Sequence, residues 1–159
     1  MKRTNQLQPL SRQHHLGLNL SRHAKECTDE PAEIAKHWHY LMAYIKNMQA
    51  HFKIEDTLIA HVLEPYRASH TKVASVLDTL DVRHRQLYKL MDETERSHKF
   101  INKEVTAAQV QALGTLLYDL IRFEERGLYP AVEKHLKEAE LNAIYEASPD
   151  SIKRTDELR

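Results

Sequence analysis

The sequence predicts an all-α protein, an up-down-up-down antiparallel four-helix bundle with a short extra C-terminal helix, and three observations predict it. Glycine is scarce, three in 159 residues, and no Asn-Gly-type dipeptide is present, whereas the turns of antiparallel sheets consume both. Apolar residues recur at steps of three and four over four long segments, the period of an amphipathic helix. Prolines and polar clusters fall between those segments, where helices start and stop. Four such helices with short connections pack most simply in alternating directions.

The first helix is expected to open near Leu10-Ser11, after Pro9 and with Ser11 as N-cap, and to run to about Cys27. Asp29-Glu30-Pro31 starts the second, with an acidic cap and a proline in the first turn. Its stripe is Ile34, Trp38, Leu41, Ile45, Met48, Phe52, Ile59 and Val62, and no breaker intervenes before Glu64-Pro65. The third begins around His70-Thr71, carries Val73, Leu77, Leu80, Leu87 and Met91, and fades in the charged stretch from Asp92 to Lys103. Thr106 caps the fourth, striped by Val110, Leu113, Leu117, Leu120, Ile121 and Leu128. Gly127 and Pro130 predict a kink or break there, before the helix resumes over Ala131 to Leu136. A last short helix is expected around Glu138 to Glu146. Residues 1–147 thus read as one bundle domain and 148–159 as a polar tail.

Composition excludes several classes of function. Lys and Arg number 23 and Asp and Glu 23, so the clustered positive charge on which nucleic-acid binding rests is not indicated. No run approaches the ~18 apolar residues that span a bilayer. The opening Met1-Lys2-Arg3-Thr4-Asn5-Gln6 has no apolar core behind it, so no signal peptide is expected. The lone cysteine, Cys27, excludes an internal disulfide and favours a cytoplasmic setting. Eleven histidines raise the expectation of metal binding.

The informative positions are polar residues inside the apolar stripes. His84 sits between Leu80 and Leu87, Glu55 between Phe52 and Ile59, and His51 one turn before Glu55 on the same face. Glu124 stands four after Leu120, and His14 four after Leu10. One such histidine alone is usually a hydrogen-bonded core residue. Two carboxylates are harder to account for, because burying an ionised carboxylate costs several kcal/mol unless it is paired or bound to a metal. Lys46, Lys53, Arg122 and Arg126 all fall on outer faces, and imidazoles with carboxylates make a good iron or manganese ligand set. His37 and His39, flanking Trp38, are expected at the surface. His61, His70, His98 and His135 belong to helix ends or outer faces, and Tyr88 and Tyr118 face or border the core.

An internal repeat strengthens the pattern. At an offset of 69, His51-Phe52-Lys53-Ile54-Glu55-Asp56 overlies Leu120-Ile121-Arg122-Phe123-Glu124-Glu125. At an offset of 70, Leu7, Leu10, His14 and Leu20 overlie Leu77, Leu80, His84 and Leu90, which selects His14 over His15. One equivalence fails, since His51 is matched by Leu120.

Four pieces taken together, Leu10-Ser11-Arg12-Gln13-His14-His15, His51-Phe52-Lys53-Ile54-Glu55, Arg83-His84-Arg85 and Phe123-Glu124-Glu125-Arg126-Gly127-Leu128-Tyr129-Pro130, resemble the hemerythrin-like proteins, the His-His-Glu cation-binding bundles of bacteria. The resemblance implies a bundle holding two irons, bridged by glutamates and capped by histidines. Carried over by position, it implies His14, His51, Glu55, His84 and Glu124 as metal ligands. The sequence departs at Leu120, where the family has its final histidine. One metal keeps His14, His51 and both carboxylates, while the other is left with His84 and the bridges. Asp119 and Tyr118 point about 100° and 200° away from Leu120 on an ideal helix and do not rescue the site.

By the same resemblance the protein binds iron, as one or two ions in an incomplete di-iron set, with manganese or zinc also suiting the donors. It implies binding or sensing of oxygen, nitric oxide or cellular iron and redox state, and a binding protein rather than an enzyme. The expected partner is a small diatomic ligand, with neither nucleic acid nor membrane, and a homodimer is compatible. Two alternatives remain: a di-iron protein of iron-sulfur repair or of peroxide or nitric oxide turnover, and a metal-free degenerate bundle acting in protein-protein interaction. The five side-chain tips are expected to converge. Without metal, Glu55 and Glu124 are expected to resist ionisation through desolvation and mutual repulsion.

Overall fold

A computed structural model describes residues 3–100 and 104–154, without the side chain of Phe100; no strand occurs among them. Helix α1 (Gln8–Ala24) follows a 3-10 turn at Asn5–Leu7. Pro9 sits inside its first turn, where a missing N–H costs nothing because helix starts leave those donors unpaired. Ser11 therefore lies within the helix and is not its cap, a correction to the expected start.

The second long segment is not continuous. Helix α2 (Pro31–Asn47) begins on Pro31 as expected, but the chain leaves helical geometry at Met48, with φ −88° and ψ 2°. It resumes as α3 (Gln49–Lys53), widens into a π-helical turn at Ile54–Ile59 and closes with α4 (Ala60–Leu63). No glycine or proline announces these changes, so the spacing of the stripe concealed them.

Helix α5 (Thr71–Phe100) does not fade at Asp92. Its charged end is laced by pairs four residues apart, Arg96 to Asp92 at 3.1 Å and Lys89 to Glu93 at 4.0 Å, which support an exposed helix. The rest of the stretch expected to fade, 101–103, lies outside the described residues. Thr106 caps α6 (Ala107–Phe123) in a capping box with Gln109. The break expected at Gly127 and Pro130 takes the form of a second π-helical turn, Glu124–Leu128, after which Pro130 occupies the first turn of α7 (Tyr129–His135). Helix α8 (Glu138–Ala147) buries Leu141 and Ile144 and is tied to the N-terminal turn by Gln6, which donates to Glu138 at 2.9 Å and Asn142 at 3.1 Å.

Helix α1 packs along α2 and α6, and α6 along α5. The core divides into two apolar clusters. One gathers Leu41, Ile45, Phe52, Leu87, Leu113, Leu117, Leu120 and Ile121. The other gathers Leu10, Ile59, Val73, Leu77, Leu80, Leu128 and Ile144. On the first, third and fourth long segments the polar residue singled out in the stripe falls between these clusters in sequence, His14 after Leu10, His84 between Leu80 and Leu87 and Glu124 between Ile121 and Leu128; on the second, His51 and Glu55 flank the change of cluster from Phe52 to Ile54. The bundle thus carries one polar layer between two dry ones. Ile34, Trp38, Val62 and Met91, expected in the core stripes, are only partly buried.

Close approach of α1 and α6 depends on Gly114. A Cβ there would stand 2.8 Å from Ala24 Cβ and 3.1 Å from Ser21 O, and backbone atoms cannot swing aside. Gly114→Ala is expected to cost about 1–3 kcal/mol by overpacking, measured by urea denaturation, although the same change in an open helix would stabilise it.

Candidate metal centre

The polar layer is assembled from four directions. His14 comes from α1, His51 from α3, Glu55 from the first π turn, His84 from α5 and Glu124 from the second π turn. All five are buried, His14, Glu55 and Glu124 to 0% exposure. His15 is exposed, which leaves His14 as the inward histidine of the pair.

One donor atom from each of His14, His51, Glu55 and Glu124 lies within 4.8 Å of the others, and these four could hold a metal ion. His84 stands outside that quartet but touches it, with Nε2 3.1 Å from Glu124 Oε2 and 3.5 Å from Glu55 Oε1. His14 Nε2 is 2.8 Å from Glu124 Oε1, and His51 Nε2 is 3.1 Å from Glu55 Oε2. Glu55 Oε1 is buried and has no hydrogen-bond partner, the condition of a carboxylate oxygen shaped for a cation rather than for a donor.

Each imidazole is aimed by its other nitrogen. His14 Nδ1 donates to Glu125 at 2.6 Å, His84 Nδ1 to Asp56 at 2.6 Å and His51 Nδ1 to Gln13 Oε1 at 2.9 Å. Such outer acceptors fix the ring orientation and turn Nε2 inward, as metal-binding histidines require. Glu125 is itself held by Ser11, whose Oγ donates at 2.8 Å, and by Arg3. Asp56 and Glu125 are equivalent under the 69-residue repeat, so the pairs His14–Glu125 and His84–Asp56 are two copies of one device. The repeat contained both acids; the stripe criterion passed over them because they sit one residue off the buried face.

Tyr129 stands in the last of the four quoted motifs but is not among the site residues that the sequence singles out. It is fully buried, and its hydroxyl donates to Glu55 Oε2 at 2.9 Å and lies 3.0 Å from His51 Nε2. In an α-helix a residue five positions after Glu124 stands about 140° round the axis; the wider π turn brings the two onto one face. Neither tyrosine singled out in the sequence does this. Tyr88 packs its ring near Phe52 and His84, while Tyr118 lies under Lys25 and Arg122.

The electrostatics correct one expectation. Burial pushes the Glu124 carboxyl up, but hydrogen bonds from His14, His51 and His84 outweigh it and hold the group well below its ordinary range. Burial likewise pulls His14 down, and Glu124 and Glu125 more than reverse this, raising it to about 9. His84 rises to about 12, with burial overcome by Asp56 and Glu124, and His51 also rises. Glu124 does not resist ionisation, because protonated imidazoles supply the counter-charge that no lysine or arginine was placed to give. A cation entering the quartet would take over that role, with imidazole protons released.

Fold and site together define an all-helical protein with a buried histidine-carboxylate layer suited to a cation. The family model of the hemerythrin HHE cation-binding domain matches residues 6–132. The chain belongs to that family. Comparison with curated proteins and with solved structures gave no match.

Proposed function

We propose that this protein holds iron in the polar layer and uses it to bind or sense a small diatomic gas, oxygen or nitric oxide, or the cell's iron and redox state. The observation that carries the reading is the quartet His14, His51, Glu55 and Glu124, with four donor atoms within 4.8 Å of one another and the Nδ1 atoms of both its histidines committed to outer acceptors. Two imidazoles and two carboxylates suit iron, and manganese or zinc less selectively. A ferrous ion held here would supply an open position for a diatomic ligand. The chain's own part is to hold the ion, keep Nε2 of each imidazole turned inward through Glu125 and Gln13, and wall the layer from bulk water with the two apolar clusters. Gln13 also lines a surface cavity of about 680 Å³ between α1 and α2, which places the outermost support of His51 within reach of solvent.

In this reading the four long helical segments run alternately up and down, residues 1–147 form the binding unit, and the setting is cytoplasmic. No helix among the described residues is long and apolar enough to cross a membrane. Anaerobic titration with ferrous iron tests the proposal. Tight uptake followed by a spectral change on adding nitric oxide supports it; catalytic consumption of peroxide or nitric oxide would move the reading to the enzyme-like alternative. No uptake would leave the metal-free bundle.

Leu120, fully buried, replaces the donor that would complete a second ion beside His84. Leu120→His is expected to raise iron content from about one toward two per chain, while without iron the new imidazole costs about 1–3 kcal/mol as a buried unsatisfied group. Metal analysis and melting with and without iron check both signs. A variant no richer in metal and less stable with iron present would contradict the assignment of this face.

A further inference from the structure

We propose that Tyr129 is a fifth donor to the ion held by His14, His51, Glu55 and Glu124, and that its phenolate stabilises the ferric form of that single ion. The inference rests on the metal-binding reading above and adds a ligand to it. Tyr129 is 0% exposed, its hydroxyl oxygen reaches His51 Nε2 at 3.0 Å and Glu55 Oε2 at 2.9 Å, and its ring stacks on His14 with centroids 5.4 Å apart at 13°. Its oxygen thus lies against donor atoms of two members of the quartet, while its ring covers a third.

The internal repeat shows that this placement is one-sided. Under the 69-residue offset, His51 corresponds to Leu120 and Tyr129 corresponds to Ala60. Both departures remove a donor from the His84 half and leave one in the His14 half. The chain therefore offers two imidazole nitrogens, two carboxylates and a phenol on one side, against one imidazole and the shared carboxylates on the other.

Three anionic oxygens match the charge of a ferric ion, and hard oxygen donors favour it over softer divalent competitors. On coordination the O–H bond of Tyr129 breaks, the oxygen binds iron and the proton leaves to solvent; no electron is transferred when the iron arrives as ferric. Glu55 Oε2, which accepts that proton's hydrogen bond in the structure, is freed to bind the same ion.

The test is optical and does not depend on activity. The full chain is loaded with ferric citrate and desalted. Iron content, visible absorption and resonance Raman are then recorded for the parent, Tyr129→Phe, Tyr88→Phe and Tyr118→Phe. The expected parent shows a visible phenolate-to-iron band with tyrosinate ring modes; Tyr129→Phe retains iron but loses the band, and the other two variants keep it. Iron-loaded parent protein without tyrosinate modes overturns the inference with no variant needed, so a poorly folding Tyr129→Phe does not decide the matter. A band that survives in Tyr129→Phe, or vanishes in Tyr88→Phe, overturns it equally while leaving the metal site intact. Absence of bound iron in the parent overturns the functional reading itself, and this assignment with it.

Discussion

Glu124→Gln is expected to abolish tight metal binding and to lower the stability of the metal-free protein by about 3–5 kcal/mol, the usual cost of removing one partner from a buried ionic cluster. Glu124 is the hub of the layer. It is fully buried, lies 2.8 Å from His14 Nε2 and 3.1 Å from His84 Nε2, and has His51 Nε2 at 3.8 Å. Glutamine keeps the shape but removes the charge that holds protons on these imidazoles, and it turns an amide N–H₂ toward a neighbour that also donates. Loss of an outer-sphere support alone typically costs 10–100-fold in metal affinity, so Glu125→Gln, which removes the acceptor of His14 Nδ1, should fall in about that range, and Glu124→Gln beyond it. Calorimetric titration with ferrous iron gives the order. Equal affinities for Glu124→Gln and the parent would mean that the carboxylate is not a ligand.

The second large effect is the dependence of metal-induced stabilisation on pH. His14 titrates near 9 in the folded protein against 6.5 for an ordinary imidazole, with burial opposed and outweighed by Glu124 and Glu125. A raised histidine contributes stability that is full below its unfolded value and is lost as pH rises through its folded value. The metal-free protein should therefore lose stability between pH 6.5 and about 9. Glu124, held low, acts in the opposite sense, and its contribution is lost only in acid, outside this window. The metal must displace imidazole protons to bind, so its affinity rises over the same interval. The gap in Tm between iron-loaded and metal-free protein should widen from pH 6 to pH 8. With free iron at ~1,000 Kd, linkage supplies about 4 kcal/mol, or roughly 10 °C for a chain of this size. Circular dichroism melts under nitrogen measure it. A gap that is absent, or that narrows with rising pH, contradicts competition between metal and protons.

The bundle was legible because periodicity, caps and breakers agreed. Thr106 capped α6 as its sequence context required, and Val110, Leu113, Leu117, Leu120, Ile121 and Leu128 are all buried. His14, His51, Glu55, His84 and Glu124 stood out because each is polar on an apolar stripe, and all five are buried. Within the two π turns the stripe still marked Glu55, Ile59, Glu124 and Leu128, all buried, but it gave no sign of Tyr129 just beyond the second. Both π turns contain a site glutamate, and the second turns Tyr129 inward from an angle that an ideal helix would send elsewhere. The missing cations are the histidines themselves: His14 and His84, each buried between two carboxylates, gain the charge that no lysine or arginine was placed to give. The shell formed by Gln13, Asp56 and Glu125 escaped because those residues are partly exposed and carry no anomaly of pattern; only their link to a histidine nitrogen reveals them.

The central claim is that His14, His51, Glu55 and Glu124 hold iron in the native protein. Metal analysis of untagged protein, purified without chelators, tests it most directly. The account predicts about one iron per chain retained through dialysis, with a His14→Ala variant losing it, since a site missing one imidazole and its Glu125 support has no replacement donor. Native protein free of iron, manganese and zinc, and still free of them after incubation with excess ferrous iron, would contradict it.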